Sequence, residues 1–501
     1  MCEDGAAIES ARPDDLVVMR CGHGMRTGPC ILLVSFHFPP DPTIGAQRWE
    51  RFAPLVAERG WGLDVVTRAP PDRFDLQRLD TLPAGVRVFG VPEVELPIVR
   101  LEPLIWRSYR GLTGILGGPN GASGGLGPNG GGDRSSNQSE LVERSEVRWQ
   151  LYSSRGLRRA YWTWVHGAGY LAWAQRVAAL AQTIFEPGVH FAVVTSGPPH
   201  LTHEAGREIS LRTGLPFVMD MRDPWSLSER VHESVASPLW FRLARRYESA
   251  AIDQASLIVA NTEAAQQALA SAYPGARERL ITVMNGSDDY PLPRSRSDHR
   301  FTIAYAGTIY RERHPRILFQ AAARVIRDLG PTPAEFGIEF MGGDVPGQDS
   351  LTAMASEEGI ADFLSTTAAR PHEEALQFLS RATMLVSFPG WDTSTVPAKI
   401  FEYVRFDAWL LALADPGSAA ERLLHGTGAD ILAPNDTAAI ATAIQRRYQE
   451  YRSGVRPVRA VADDRFSRRR QANILLDALS QLSLAHESGK EQQGMAASPP
   501  G

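Results

Sequence analysis

The sequence predicts an α/β protein made of two doubly wound parallel-sheet domains that face each other across a cleft. Three observations carry that expectation. Short apolar or β-branched runs alternate with longer helical patterns along most of the chain, as parallel strands joined by crossover helices do. The strand-like runs are continuously apolar, so both faces of each sheet are covered. The alternation pauses once, at residues 291–300, a stretch of Pro, Ser, Arg and Asp without periodicity, and then restarts, which separates two units.

In the first unit, residues 31–35, 63–67, 86–91, 191–195, 216–219, 257–260 and 281–284 read as strands, with helices over 47–59, 200–213 and 241–253. In the second, strands are expected at 301–306, 339–341, 384–388, 409–414 and 430–432, and a last helical pattern fills 466–484. The domains are accordingly placed at 29–292 and 299–458, followed by a C-terminal helix at 459–486. Residues 1–28 and 487–501, polar and rich in small side chains, are read as disordered termini. At 111–139, 11 of 29 residues are glycine and Gly-Pro-Asn-Gly occurs twice, so this insertion is also read as disordered.

Composition excludes several classes. With 52 Lys+Arg against 57 Asp+Glu in 501 residues, the net charge is −5, and a nucleic-acid partner is not expected. Apolar runs such as 408–414 fall far short of the roughly 18 residues of a spanning helix. Residues 1–29 carry Glu3, Asp4, Asp14 and Asp15, unlike a secretory signal, so a cytoplasmic location is expected. Cys2, Cys21 and Cys30 show no Cys-x-x-Cys spacing and read as free thiols. Residues 144–176 hold six arginines and seven aromatics, including Trp149, Trp162, Trp164 and Trp173, against one acid, Glu146. That mixture suits peripheral contact with the inner membrane surface, or equally a helix with tryptophans in a core and arginines in water.

In open α/β sheets ligands bind outside the carboxyl ends of the strands, so chemistry is sought there. The first strand runs into Phe36-His37-Phe38-Pro39-Pro40-Asp41-Pro42-Thr43-Ile44-Gly45, where amides at a following helix start can approach an anion. Gly-x-Gly-x-x-Gly is absent from this loop, and Thr67-Arg68 stands where a ribose-binding acid would be, which disfavours NAD-type binding. His200 and His203 follow the fourth strand, at the rim. Asp220, Arg222 and Asp223 end the next, either as an internal ion pair or as groups offered to a sugar hydroxyl. In the second unit Gly307 follows a strand, with Arg311, Arg313 and Arg316 next and Glu312 among them, an expected anion cradle. Ser394 or Thr395 is expected to cap a helix that Pro397 opens. Lys399 then falls in the first turn, where the dipole disfavours a cation by about 0.3–1 kcal/mol unless an anion sits there. Glu402, three residues on along the same face, is spaced to reach ribose hydroxyls.

With these motifs in hand, the chain resembles the GT-B glycosyltransferases of glycosyltransferase family 4 over roughly residues 30–484. The resemblance rests on Phe38-Pro39-Pro40 through Gly45-Ala46-Gln47-Arg48, Ser196-Gly197-Pro198-Pro199-His200, Asp220-x-Arg222-Asp223-Pro224-Trp225, Asn285-Gly286, Gly307-Thr308-Ile309-Tyr310 with Arg313, and Val396-Pro397-Ala398-Lys399-Ile400-Phe401-Glu402-Tyr403. It implies two facing Rossmann-like domains and transfer of a sugar, with retention of configuration, from a nucleotide diphosphate sugar. It further implies a glycan or lipid-linked acceptor in cell-surface polysaccharide or glycoconjugate synthesis, and neither metal nor cofactor. By the same resemblance Arg313 and Lys399 hold the diphosphate, Gly45 and Gly307 border it, and Glu402 binds the ribose. Where the family pattern has two glutamates separated by seven residues, the first position is Ser394. Where many members carry a histidine after the 216–219 strand, a gapless reading gives Arg222. The catalytic role then passes to Arg222, Asp223 or His203, with His200 and Asp220 on the acceptor side. Two other readings stand beside this one: a non-catalytic protein of the same shape that binds a nucleotide sugar or a partner, and a nucleotide-sugar epimerase.

Overall fold

The structure, a computed structural model, describes residues 17–20, 28–69, 76–94, 154–227, 238–293, 300–307, 309, 315–342, 350–388 and 393–496. The first sheet contains β1 (Val17–Arg20), β2 (Cys30–Ser35), β3 (Gly62–Arg68), β4 (Val86–Val91), β5 (His190–Gly197), β6 (Phe217–Met221), β7 (Leu257–Ala260) and β8 (Leu280–Thr282). Their spatial order is β1-β4-β3-β2-β5-β6-β7-β8, parallel throughout except for β1, which runs antiparallel on β4. The second sheet contains β9 (Phe301–Ala306), β10 (Phe336–Met341), β11 (Leu364–Thr367), β12 (Met384–Ser387), β13 (Trp409–Leu413) and β14 (Asp430–Leu432), in the parallel order β11-β10-β9-β12-β13-β14. Strand order reverses between β2 and β5 and again between β9 and β12. The crevices at those carboxyl ends are the places where such sheets take ligands.

Apolar strands need cover on both faces, and the helices supply it. In the first domain α1 (Ile44–Glu58) places Trp49, Phe52 and Val56 on one face, against Ile31, Leu33 and Val65. The other face carries α2 (Ser154–Ile184), α3 (Thr202–Thr213) and α4 (Pro238–Gln254), with Trp173, Val177, Ile209 and Ile252 buried there; α5 (Glu263–Ala272) follows β7. In the second domain come α6 (Arg316–Leu329), α7 (Leu351–Glu357), α8 (His372–Leu379), α9 (Ala398–Tyr403), α10 (Ala419–Leu424) and α11 (Thr437–Arg452). One face is packed by α6, α7 and α11 and the other by α8, α9 and α10.

The last helix, α12 (Arg468–Ala496), returns to the first domain, where Ala472, Leu475, Leu476 and Leu479 join the α1 face. The two interdomain crossings pair as they pass: Ser287 N donates to Phe466 O at 2.7 Å and Arg468 N to Ser287 O at 2.7 Å. Gly286, at φ +69°, makes that approach feasible, because a Cβ there would meet the Arg468 Cα at 2.8 Å.

Three elements differ from the sequence expectation. Residues 17–20, read as part of a disordered terminus, form edge strand β1, which Arg20 pins by donating to the carbonyls of Leu82, Pro83 and Val86 at 2.7–2.9 Å. Strand β11, Leu-Ser-Thr-Thr, lies at a half-exposed edge and so carries no apolar run to announce it. Helix α12 continues to Ala496, past the expected end at 486, because the polar residues there are themselves helix formers. The insertion at 111–139, residues 1–16 and residues 497–501 lie outside the described residues. Within the arginine and tryptophan segment, Trp173 belongs to the core: it is 1% exposed, donates to Val91 O at 3.1 Å, and meets the Phe36 ring edge-on at 4.9 Å. Among the described residues no helix is long and apolar enough to cross a membrane.

Candidate functional site

At the second sheet's crevice, Gly307 follows β9 with φ +139° and donates its N–H to Met341 O at 2.6 Å. Its missing Cβ leaves room for Lys399, whose Nζ would collide with any side chain there. The ammonium donates to Ala306 O and lies 5.2 Å from the centre of the Tyr305 ring. One helical turn further on, Tyr403 accepts from Ala306 N at 3.0 Å. Both contacts seat α9 on the end of β9, which holds a cation at the switch point. The side-chain cap expected from Ser394 or Thr395 does not form, since the helix begins after Pro397. Ser394 instead offers its carbonyl to Thr262 Oγ1 at 2.6 Å. Thr262 follows β7, so this bond brings the carboxyl edges of the two sheets together.

Glu402 is 24% exposed and accepts at Oε1 from Tyr290 Oη (2.6 Å) and His372 Nε2 (2.8 Å). Burial and the Glu402 carboxylate push the Tyr290 phenol up, so it donates. Arg313 and residues 308, 310–312 and 314 lie outside the described residues.

The first domain's rim is organised by Arg222, which is 8% exposed. Its guanidinium donates to Gly197 O (2.6 Å), Pro198 O (2.8 Å) and Gly45 O (2.5 Å), stapling the first turn of α1 to the end of β5 and the loop after it. Burial lowers its pKa, and the charges of Asp220 and Asp223 oppose that. Asp223 stands half-buried in the turn beside it. The Asp220 carboxylate lies inside the domain: Oδ2 accepts from Arg48 Nε (3.0 Å), Trp49 Nε1 (2.9 Å) and, more weakly, Ser196 Oγ (3.4 Å). Arg48 also donates to the carbonyl of Val283 at 3.0 Å, where the linker begins.

The two rim histidines flank Gly197. His203 Nδ1 meets Thr195 Oγ1 at 2.7 Å, while His203 Nε2 and His200 Nδ1 are buried without a hydrogen-bond partner among the described residues. Trp225 stacks on His200 at 5.4 Å and 21°. Burial and the charge of Arg222 push His203 down to about 3 from its ordinary 6.5, so both rings stay neutral near pH 7, His200 being lowered by burial in the same way. The unfolded chain then takes up the proton that folded His203 refuses, and stability falls as pH drops below about 6.5, by up to ~1.4 kcal/mol per unit. Between pH 7.5 and 5, His203→Gln is expected to abolish about 2 kcal/mol of the wild-type loss. Urea midpoints at the two pH values measure this, and equal losses in both proteins would refute it.

Sequence reasoning gave no role to His37 and Asp41, which the fold makes a pair. Asp41 Oδ2 sits 2.7 Å from His37 Nδ1 and also accepts from Arg68 Nη2 at 2.8 Å. At the opposite edge of the sheet, Cys30, Asp64 and His190 lie close enough to suggest a metal centre. Their chemistry is already spent: Arg87 donates to both Asp64 oxygens (2.8 and 2.6 Å), and His190 bonds Asp64 through Nε2 and the Glu186 N–H through Nδ1, each at 3.0 Å. A guanidinium bonded to both oxygens of that buried carboxylate leaves no place for a cation.

No protein-family model matches the chain. Over 153 residues it is 30% identical to a D-inositol 3-phosphate glycosyltransferase of Catenulispora acidiphila, covering 28% of this chain and 37% of that protein. Over 162 residues it is 29% identical to a D-inositol 3-phosphate glycosyltransferase of Mycolicibacterium smegmatis, covering 29% and 35%. The chain thus spans little more than a third of the length of the curated relatives it matches. Likeness to solved structures extends much further. A sucrose-phosphate synthase of Thermosynechococcus elongatus matches with TM-score 0.50 at 13% identity, over 94% of this chain and 100% of the other. An α,α-trehalose 6-phosphate synthase of Burkholderia multivorans gives 0.51 at 12%, over 92% and 98%. A UDP-forming trehalose-phosphate synthase of Burkholderia xenovorans gives 0.52 at 10%, over 90% and 99%. At such identities the likeness shows the fold, which is GT-B: two Rossmann-like parallel-sheet domains.

Proposed function

We propose that the chain is a retaining glycosyltransferase that moves a sugar from a nucleotide diphosphate sugar to a glycan or lipid-linked acceptor in cell-surface polysaccharide or glycoconjugate synthesis. The observation that carries this reading is the Lys399 ammonium at the switch point of the second sheet, with the Glu402 carboxylate one turn along the same helix. That pairing is spaced for the diphosphate and ribose of one nucleotide. The partial matches to inositol-phosphate glycosyltransferases and the family 4 motifs support it. In the reaction the bond from the anomeric carbon to the diphosphate oxygen breaks, the acceptor oxygen bonds the same face, and the acceptor's proton passes to the departing phosphate. The protein's part is charge stabilisation by Lys399 and positioning. On the acceptor side, Arg222 ties the start of α1 to the end of β5, and His200, His203, Asp223 and His37 stand around that junction. Peripheral contact with a membrane through the 144–176 segment would accompany a lipid-linked acceptor, with Trp173 of that segment packed in the core.

Ser394, standing at the first of the two glutamate positions of the family pattern, favours one other reading, a binder without turnover. Calorimetric titration with UDP, GDP, ADP and TDP, followed by incubation with sugar nucleotides of the base that binds, separates the two. One diphosphate binding at about micromolar Kd, with release of that diphosphate from its sugar nucleotide, is the expected result. Binding without release leaves the binder, and absence of any binding overturns the donor site.

A further inference from the structure

Three elements converge on one carboxylate oxygen. Tyr290 comes from the linker after β8, His372 opens α8, and Glu402 lies on α9. Tyr290 Oη and His372 Nε2 reach Glu402 Oε1 at 2.6 and 2.8 Å, and the two rings meet edge-on at 5.6 Å and 88°. Tyr290 is itself gripped, because the Arg405 guanidinium lies 4.8 Å from its ring centre and donates to its carbonyl at 2.5 Å. Among the described residues no hydrogen bond reaches Oε2, and the Glu402 side chain keeps 24% of its exposure.

We propose that Tyr290 and His372 are positioning residues for nucleotide recognition: by occupying Oε1 they hold Glu402 in the one rotamer that presents Oε2 to the ribose hydroxyls of the donor. The inference rests on the donor-site reading above and deepens it. A glutamate has three rotatable bonds, and an unrestrained one spends most of its time in water. Two donors on one oxygen remove that freedom before the ligand arrives, which is how preorganisation raises affinity without adding a contact. A carboxylate oxygen that already accepts twice has little capacity left, so recognition falls to the other oxygen. Because Tyr290 belongs to the interdomain linker, ribose recognition also requires the linker to be seated on the second domain.

The test uses the full chain and three probes: whichever of UDP, GDP and ADP binds, its 2′,3′-dideoxy counterpart, and inorganic pyrophosphate. Wild type is expected to prefer the ribonucleotide over the dideoxy form by about tenfold, as a hydrogen bond to a charged group provides. Tyr290→Phe and His372→Ala are each expected to cut that preference to about threefold or less, while dideoxynucleotide and pyrophosphate affinities stay at the wild-type level and report an intact fold. A preference unchanged in both variants but erased by Glu402→Ala overturns the inference and leaves the donor site standing. A preference that survives Glu402→Ala, or failure of every nucleotide to bind wild type, overturns the donor-site reading itself and the inference with it.

Discussion

Lys399→Ala is expected to weaken binding of the cognate nucleoside diphosphate by about 30-fold or more, the loss of roughly 2 kcal/mol from one charge-assisted contact. The loss in turnover is expected to be larger. Negative charge builds on the diphosphate as the glycosidic bond breaks, so an ammonium held beside it is worth more in the transition state than in the ground state, and kcat should fall about 10²–10³-fold. Lys399→Arg is expected to recover little. The ammonium occupies the space left by the absent Gly307 side chain, bonded to the Ala306 carbonyl and close to the Tyr305 ring, and a planar guanidinium is too broad for that notch. Gly307→Ala should act through the same contact, because its Cβ would displace the ammonium. Calorimetry and steady-state kinetics measure both effects. Wild-type affinity in Lys399→Ala would remove the diphosphate from this crevice.

What could be read in the sequence follows from how local each signal is. Strands β2 and β5 are buried at every position, and a strand covered on both faces announces itself as an unbroken apolar run. Edge strands β1 and β11 lack that burial; β11, Leu-Ser-Thr-Thr, lacks the run as well, and β1 has only the short one at Leu16–Met19. Lys399 and Glu402 could be grouped because one helix turn joins them. Tyr290 and His372 could not, since they stand 112 and 30 residues from Glu402 and meet it only through tertiary packing. The same holds for Arg222. Its three carbonyl acceptors lie at the start of α1, at the end of β5 and in the loop after it, and Gly45 is 177 residues away, so the sequence shows a charged strand end but not the staple it forms. His37 and Asp41 are four apart in a proline-rich loop, where spacing says nothing about which side chains meet.

The second large effect concerns stability. Asp220→Ala is expected to lower the unfolding free energy by about 3–5 kcal/mol, the usual consequence of leaving one partner of a buried ion pair without its counter-charge. The pair qualifies: side-chain exposures are 3% for Arg48 and 1% for Asp220, at 3.0 Å. Removing the carboxylate also strands the Trp49 indole N–H, 1% exposed and 2.9 Å from the same oxygen. Against a total of about 5–15 kcal/mol for a typical domain, that loss is a large fraction. Arg48 would keep its carbonyl acceptors at the start of the linker, but those do not neutralise it. Asp220→Asn, which retains an acceptor oxygen without the charge, should lose less. The Arg48→Ala/Asp220→Ala double variant should lose less than the two single variants added together, because no buried charge is then left alone. Guanidinium unfolding of the four proteins gives the cycle, and turnover per folded molecule gives the control. Were Asp220→Ala to abolish turnover with unfolding free energy held within about 0.5 kcal/mol of wild type, the carboxylate would be a substrate contact. The geometry favours the other outcome, since a group enclosed by Arg48, Trp49 and Ser196 can reach an acceptor only if α1 and the end of β5 first come apart.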